Sequence, residues 1–177
     1  MALGDGNLSS PNGRVTRLRI TCDTKYPLMI EEMTQALECL LPQNKVSIVK
    51  RKETYLDISV YSNKLNLWMP WRVGMGPKKA QKASVPKWIL GEIVFIKACL
   101  RGLIQTDGCI YSDRGYTMVN FTNDTKELAE DFYFMVNSLG FTSSVYKFKR
   151  DNFSYKYTIR VAKNSREFID LIKLSKS

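Results

Sequence analysis

The sequence predicts an α+β protein built from two similar halves, each an antiparallel sheet backed by helices. Three observations lead there. Landmarks of the first half recur in order in the second: Asp107-Gly108 follows Asp5-Gly6 by 102 positions, Asp124-Thr125-Lys126 follows Asp23-Thr24-Lys25 by 101, and Asn164 follows Asn63 by 101. Short segments alternate apolar and polar residues, as half-buried strands do, and apolar stripes at helical spacing lie between them. The chain, 177 residues with 44% hydrophobic and 25% charged side chains, carries enough apolar surface for an ordinary core.

In the first half, Arg17 to Cys22 reads as a strand with Leu18, Ile20 and Cys22 on one face and Arg17, Arg19 and Thr21 on the other. Asp23 or Thr24 is expected to cap the next helix, Pro27 suits its first turn, and Met33, Ala36, Leu37, Leu40 and Leu41 form its apolar stripe. The strand Tyr55 to Tyr61 is expected to bury Leu56, Ile58 and Val60 and to display Tyr55, Asp57, Ser59 and Tyr61. Residues 1–73 make up this half, and the Gly-, Pro- and Lys-rich residues 74–84 read as an exposed basic linker.

The second half spans residues 85–177. From Pro86 a helical pattern runs through Ile93, Ile96, Cys99, Leu100, Leu103 and Ile104 and stops at Thr106-Asp107-Gly108. Gly102 inside it costs about 1 kcal/mol relative to Ala, a cost that close approach of a second helix explains. Thr117, Val119 and Phe121 are expected to face inward, Leu128, Phe132, Met135, Val136 and Leu139 to stripe a helix, and Gly140 to end it. The strands Val145 to Arg150 and Ser154 to Val161 alternate Tyr146, Phe148, Tyr155, Tyr157, Ile159 and Val161 with basic side chains.

The formal charge of +10, from 27 Lys and Arg against 17 Asp and Glu, favours a polyanionic partner. Arg17, Arg19, Lys147, Lys149, Lys156 and Arg160 are expected on the sheet faces opposite the helices, where a ribbon of this kind can enter a DNA major groove. Lys50, Lys52 and the linker residue Lys79 extend the expected DNA-binding set. The ordinary alternative is a solvated basic face.

Several functional classes are excluded. The chain has no histidine, which removes Ser/His/Asp and Cys/His nucleophilic catalysis, and its four scattered cysteines show no zinc spacing. Gly74-Met75-Gly76-Pro77-Lys78-Lys79 lacks the spacing of a phosphate-cradling loop. No segment reads as a signal peptide or a membrane span, so a soluble intracellular protein with no membrane partner is expected. Catalysis therefore rests on carboxylates, lysines or a metal. A carboxylate at a helix C-terminus is disfavoured by the helix dipole, and a cation beside Asp107 removes that penalty. If the halves pack about a pseudo-two-fold axis, Asp107 meets Asp5, and the pair needs a shared proton or a divalent metal.

The segment Leu100-Arg101-Gly102-Leu103-Ile104-Gln105-Thr106-Asp107-Gly108 resembles the LAGLIDADG motif of homing endonucleases, and Val85-Pro86-Lys87-Trp88-Ile89 resembles the approach to it. Gly4-Asp5-Gly6-Asn7-Leu8 is similar to the tail of a first motif, and Gly76-Pro77-Lys78 to a further family segment. The resemblance implies αββαββα halves forming a saddle on double-stranded DNA. It also implies Mg²⁺ or another divalent cation held by Asp107 and Asp5, with the preceding Gly4 and Thr106 in the same metal sites, and Lys78 assisting at the phosphate. The implied reaction is a double-strand break with short 3′ overhangs.

The first motif is reduced to Met1-Ala2-Leu3-Gly4-Asp5-Gly6, too short for the two-turn helix expected before Asp5. A single-chain pseudo-dimer is expected, or a dimer if the short motif is the natural one. The alternative reading is a nucleic-acid-binding relative without nuclease activity, an intron RNA maturase or a DNA-binding regulator.

Overall fold

The computed structural model describes residues 1–149 and 154–174. The chain divides into two compact units, one over residues 1–76 and one over 77–174. The first contains α1 (Ala2–Asp5), β1 (Gly6–Ser9), β2 (Arg17–Asp23), α2 (Pro27–Leu40), β3 (Ser47–Lys50), β4 (Tyr55–Tyr61) and α3 (Leu65–Trp68). The second contains α4 (Lys87–Leu90), α5 (Ile93–Asp107), β5 (Gly108–Asp113), β6 (Tyr116–Asn123), α6 (Lys126–Ser138), β7 (Ser143–Lys149), β8 (Tyr155–Val161) and α7 (Ser165–Leu171). Each sheet has four antiparallel strands, in the orders β1-β2-β4-β3 and β5-β6-β8-β7. The α+β class and the repeat are therefore physical. Arg19 pairs Ser59 while Asn120, 101 positions later, pairs Arg160, so the same register is built twice.

In the first unit Leu18, Ile20, Cys22, Ile58 and Val60 are buried on one sheet face, as their alternation requires. The stripe of α2 differs from the expected one. Met29, Met33, Leu37 and Leu41 are buried, whereas Ala36 is exposed and Leu40 is 61% exposed. The helix ends at Leu40, and the following Leu41, at φ −132 and ψ 60, turns inward in its place. Neither Asp23 nor Thr24 caps α2. The N-cap is Tyr26 with Pro27 in the first turn, while Asp23 Oδ1 accepts the Lys25 N–H at 2.9 Å and turns the chain just before the helix.

The second unit buries Val119, Phe121, Leu128, Phe132, Met135, Val136, Ile159 and Val161 between sheet and helices. Phe121 of β6 and Phe132 of α6 stack with centroids 4.3 Å apart and planes 13° apart, fixing α6 on the sheet. Such a pair adds about 0.5–1.5 kcal/mol to its area burial. Gly140, at φ +84, ends α6 in the left-handed conformation that favours glycine. The helix expected from Pro86 onward is two helices. Glu92 is extended at φ −132 and ψ 124, so α4 stops before the motif helix α5 begins, and Ile93 is exposed. Arg150, expected at the end of a strand, and residues 175–177 lie outside the described residues.

Residues 77–83, within the expected exposed linker, form a turned segment: Gln81 N–H donates to Pro77 O, and Ala83 N–H to Lys78 O. Ala83 and Val85 are buried, and Asp131 of α6 accepts the Val85 N–H at 2.6 Å. No helix among the described residues is long and apolar enough to cross a membrane.

Candidate functional site

Asp107 is the last residue of the 15-residue helix α5, and Gly108 opens β5 directly. So abrupt a change brings the strand back against the helix it leaves. A Cβ on Gly108 would lie 2.5 Å from the Ile104 Cα and carbonyl oxygen, so the turn requires glycine for close approach and not for a positive φ. The Asp107 carboxylate is part-buried and held: its Oδ2 accepts the Asn123 Nδ2–H at 3.1 Å. Asn123 is itself fixed, because its Oδ1 accepts the Thr125 N–H at 2.8 Å at the entrance to α6.

The first unit repeats this turn. Gly6 follows Asp5, its N–H donates to Ala2 O, and a Cβ there would meet that carbonyl at 2.3 Å. Asp5 is exposed and is preceded by the single turn of α1. Asn123 is matched by Cys22, 101 positions earlier, a buried thiol. Burial, and after it the charges of Asp5 and Asp57, push that thiol up to about 12.

A divalent cation fits these helix ends in chemical type. The available donors are carboxylate and carbonyl oxygens, which hard cations prefer. The Thr106 hydroxyl donates back to Gly102 O or Leu103 O, both at 3.1 Å, and the Thr106 carbonyl is a further oxygen of the same residue at this helix end. Among the described residues no group of three or more His, Cys, Asp or Glu side chains converges on one point. A cation here would keep several waters, the usual habit of Mg²⁺.

The sheet faces away from the helices carry the second candidate surface. In the second unit, β8 presents Lys156, Thr158 and Arg160 beside Asn120 and Thr122 of β6 and Tyr111 of β5. Arg160 Nε donates to Asn120 Oδ1 at 3.1 Å, Asn120 Nδ2 donates to Tyr111 Oη at 3.2 Å, and the guanidinium lies 5.2 Å from the Tyr146 ring centre. Arg160 is thereby held between Asn120 and the Tyr146 ring, with Nη2 3.5 Å from Tyr111 Oη.

One expected placement is overturned. Lys147 and Lys149 do not share a face with Lys156 and Arg160. Strand β7 pairs Lys147 with Tyr157 and Lys149 with Tyr155, on the face of buried Ile159, and the Lys147 ammonium sits 3.8 Å from the Tyr155 ring centre. Ser144, Tyr146 and Phe148 are the β7 residues on the Arg160 face. Lys50 likewise pairs with Leu56 on the helix-side face of its sheet, and Lys52 lies in the turn beyond β3.

In the first unit Arg17 and Arg19 occupy the open face, but Asp57 among them is buried rather than displayed, at 4% exposure. Its carboxylate accepts Arg51 Nε and Thr21 Oγ1, both at 2.7 Å, with Arg19 at 3.9 Å. Burial alone would raise the Asp57 pKa, but the bonds from Arg51 and Thr21 and the charge of Arg19 outweigh it and hold the carboxyl below its usual range. Arg17 Nε donates to Ser9 Oγ at 3.2 Å.

In the turned segment Lys78 is half-buried and Lys79 exposed. The sequence reading missed Arg51, Asn120, Tyr111 and Asn123. Arg51 had a legible signal, since two-residue alternation from Val49 puts it on the Asp57 face; Asn123 reads from sequence only as a turn residue.

Residues 95–173 match the family model described as the LAGLIDADG-like domain. No curated protein matches the chain by sequence. Among solved structures, I-DmoI in complex with DNA and Mn aligns over 99% of this chain and 92% of its own, at 21% identity and a TM-score of 0.69. Mesophilic variants of the homing endonuclease I-DmoI align over 97% and 89%, at 20% identity and 0.69. Full-length DUF199/WhiA from Thermatoga maritima aligns over 99% of this chain and 53% of its own, at 14% identity and 0.62. These are likenesses of fold.

Proposed function

We propose that this chain, a LAGLIDADG-family protein by the match over residues 95–173, is a site-specific double-stranded-DNA endonuclease that hydrolyses phosphodiester bonds with a divalent cation. The observation that carries the reading is Asp107. A part-buried carboxylate at the C-terminus of a 15-residue helix stands against the helix dipole, and a bound cation removes that cost. Mn accompanies DNA in the I-DmoI complex, Mg²⁺ suits the oxygen donors here, and short 3′ overhangs are the product we assign.

Asp107, with the Thr106 carbonyl, holds the cation in one unit; Asp5, with the Gly4 carbonyl, takes the matching part in the other. When bound, such an ion lowers the pKa of water and offsets charge on the attacked and leaving oxygens of an in-line phosphoryl displacement. Lys78 faces the phosphate and stabilises charge on its oxygens. Arg160, Lys156, Arg17 and Arg19 on the open faces contact phosphates and base edges, while Lys50, Lys52, Lys79, Lys147 and Lys149 add phosphate contacts at the margins. One chain with two such units acts as a monomer.

The test is selection from a randomised duplex pool at several salt concentrations, with single-stranded RNA as competitor. Enrichment of one long duplex sequence, with affinity falling as salt rises, is expected. Equal competition by RNA with no enriched duplex would reject the reading in favour of an RNA-binding maturase.

A further inference from the structure

The Asn123 side chain links the end of α5, the end of β6 and the start of α6. Its amide orientation is determined. The oxygen must face the Thr125 N–H, a donor, so the NH₂ group must face the Asp107 carboxylate, an acceptor. From this geometry we infer that Asn123 is a positioning residue for Asp107: its amide hydrogen bond to Oδ2 sets the orientation of the carboxylate that we assign to a divalent cation. The inference rests on the reading of Asp107 as a metal ligand.

Three features support it. The bond is local to the second unit and joins a helix end to a neighbouring strand, so its geometry is set by the same sheet that places β5. The donor is neutral. A Lys or Arg at this position would pair with the carboxylate and compete with a cation, whereas an amide orients it without cancelling its charge. The matching residue of the first unit is Cys22, whose thiol is a far weaker donor. The Cys22 thiol donates to the Ile20 carbonyl oxygen at 3.8 Å, so the two units differ at this position: an amide bonded to the motif carboxylate in the second, a thiol turned to its own strand in the first.

The variant that isolates the role is Asn123→Ser. A serine oxygen still accepts the Thr125 N–H in the equivalent turn, so the entrance to α6 is retained, but the side chain is too short to reach Asp107 as well. Mn²⁺ binding to the chain alone is followed by electron paramagnetic resonance for the parent, Asp107→Asn and Asn123→Ser, with an unfolding midpoint for each. The expected result is a midpoint for Asn123→Ser close to the parent's, with Mn²⁺ affinity reduced about 10- to 100-fold, the usual effect of removing a partner of a metal ligand. Parent-like affinity in Asn123→Ser, where Asp107→Asn has lost binding, would overturn the inference and leave the reading of Asp107 standing. Equal binding by the parent and Asp107→Asn would remove that reading and the inference together.

A second measurement needs no variant. In the parent, the Asn123 side-chain amide signals should broaden at lower Mn²⁺ than those of Asn120, which faces the open side of the sheet. The reverse order would also overturn the inference.

Discussion

Replacing Asp57 by Asn is expected to move stability and duplex affinity in opposite directions, because one carboxylate stabilises the sheet and holds two arginines. Asp57 is buried and accepts a charge-assisted bond from Arg51 at 2.7 Å, a hydroxyl bond from Thr21 at 2.7 Å, and a longer contact from Arg19 at 3.9 Å. A hydrogen bond to a charged group contributes about 1.5–3 kcal/mol. The Arg51 and Arg19 side chains are 46% and 37% exposed, so solvent screening cuts that figure, and Asn keeps an acceptor for Thr21. A net loss of about 1–2 kcal/mol follows, or a melting shift of about 2–8 °C for a chain of this size.

The pH dependence has a definite sign. The folded-state pKa of Asp57 is lowered, so its contribution is fully present above the unfolded value near 4 and disappears as pH falls through the folded value. The stability difference between parent and Asp57→Asn should therefore be constant near neutrality and shrink below about pH 4. Binding moves the other way. Released from Asp57, Arg19 and Arg51 become available to phosphates, and each new contact steepens the salt dependence by about 0.9 in log–log slope. Denaturant melts across pH and duplex binding across salt measure both effects. An Asp57→Asn chain as stable as the parent at pH 7, with an unchanged salt slope, would refute the reasoning.

Gly108→Ala should cost about 1–3 kcal/mol, because its Cβ would lie 2.5 Å from the Ile104 backbone and helix and strand would have to separate; a parent-like denaturation midpoint would contradict the close turn. Arg160→Ala should weaken duplex binding and lower the salt slope by about 1 if the guanidinium meets a phosphate, or relax preference at one base position if it meets a base edge. Binding that keeps both affinity and sequence preference would remove Arg160 from the interface. Lys78→Ala should slow cleavage about 10-fold or more while leaving duplex affinity nearly unchanged, and single-turnover rates alongside binding isotherms distinguish the two.

Much of this architecture was legible because each half states it independently. The alternation of Leu18, Ile20 and Cys22, the stripe from Leu128 to Val136 and the stop at Gly140 all rest on local periodicity, and the structure follows them. Other readings failed where the local pattern does not decide the pairing or the partner. In β7 the apolar–basic alternation of Tyr146, Lys147, Phe148 and Lys149 is compatible with either face inward, and only the pairing with β8 decides that the lysines lie with Ile159. Asp57 reads as a displayed strand residue until Arg51, Arg19 and Thr21 close around it.

The continuous helix expected from Pro86 breaks at Gly91-Glu92, where the apolar spacing carries on but the backbone does not. Asp107 was legible from its place at the helix end before a glycine. Asn123, 16 positions later, was not, because the bond between them exists only once β6 lies beside α5.

The most direct test of the central claim is cleavage of the selected duplex in Mg²⁺ by the parent and by Asp107→Asn, with the product ends mapped. The account predicts Mg²⁺-dependent double-strand breaks with short 3′ overhangs from the parent, and loss of cutting with retained binding in Asp107→Asn. Cutting by Asp107→Asn at the parent's rate, or tight duplex binding by the parent with no cutting at any Mg²⁺ concentration, would contradict it.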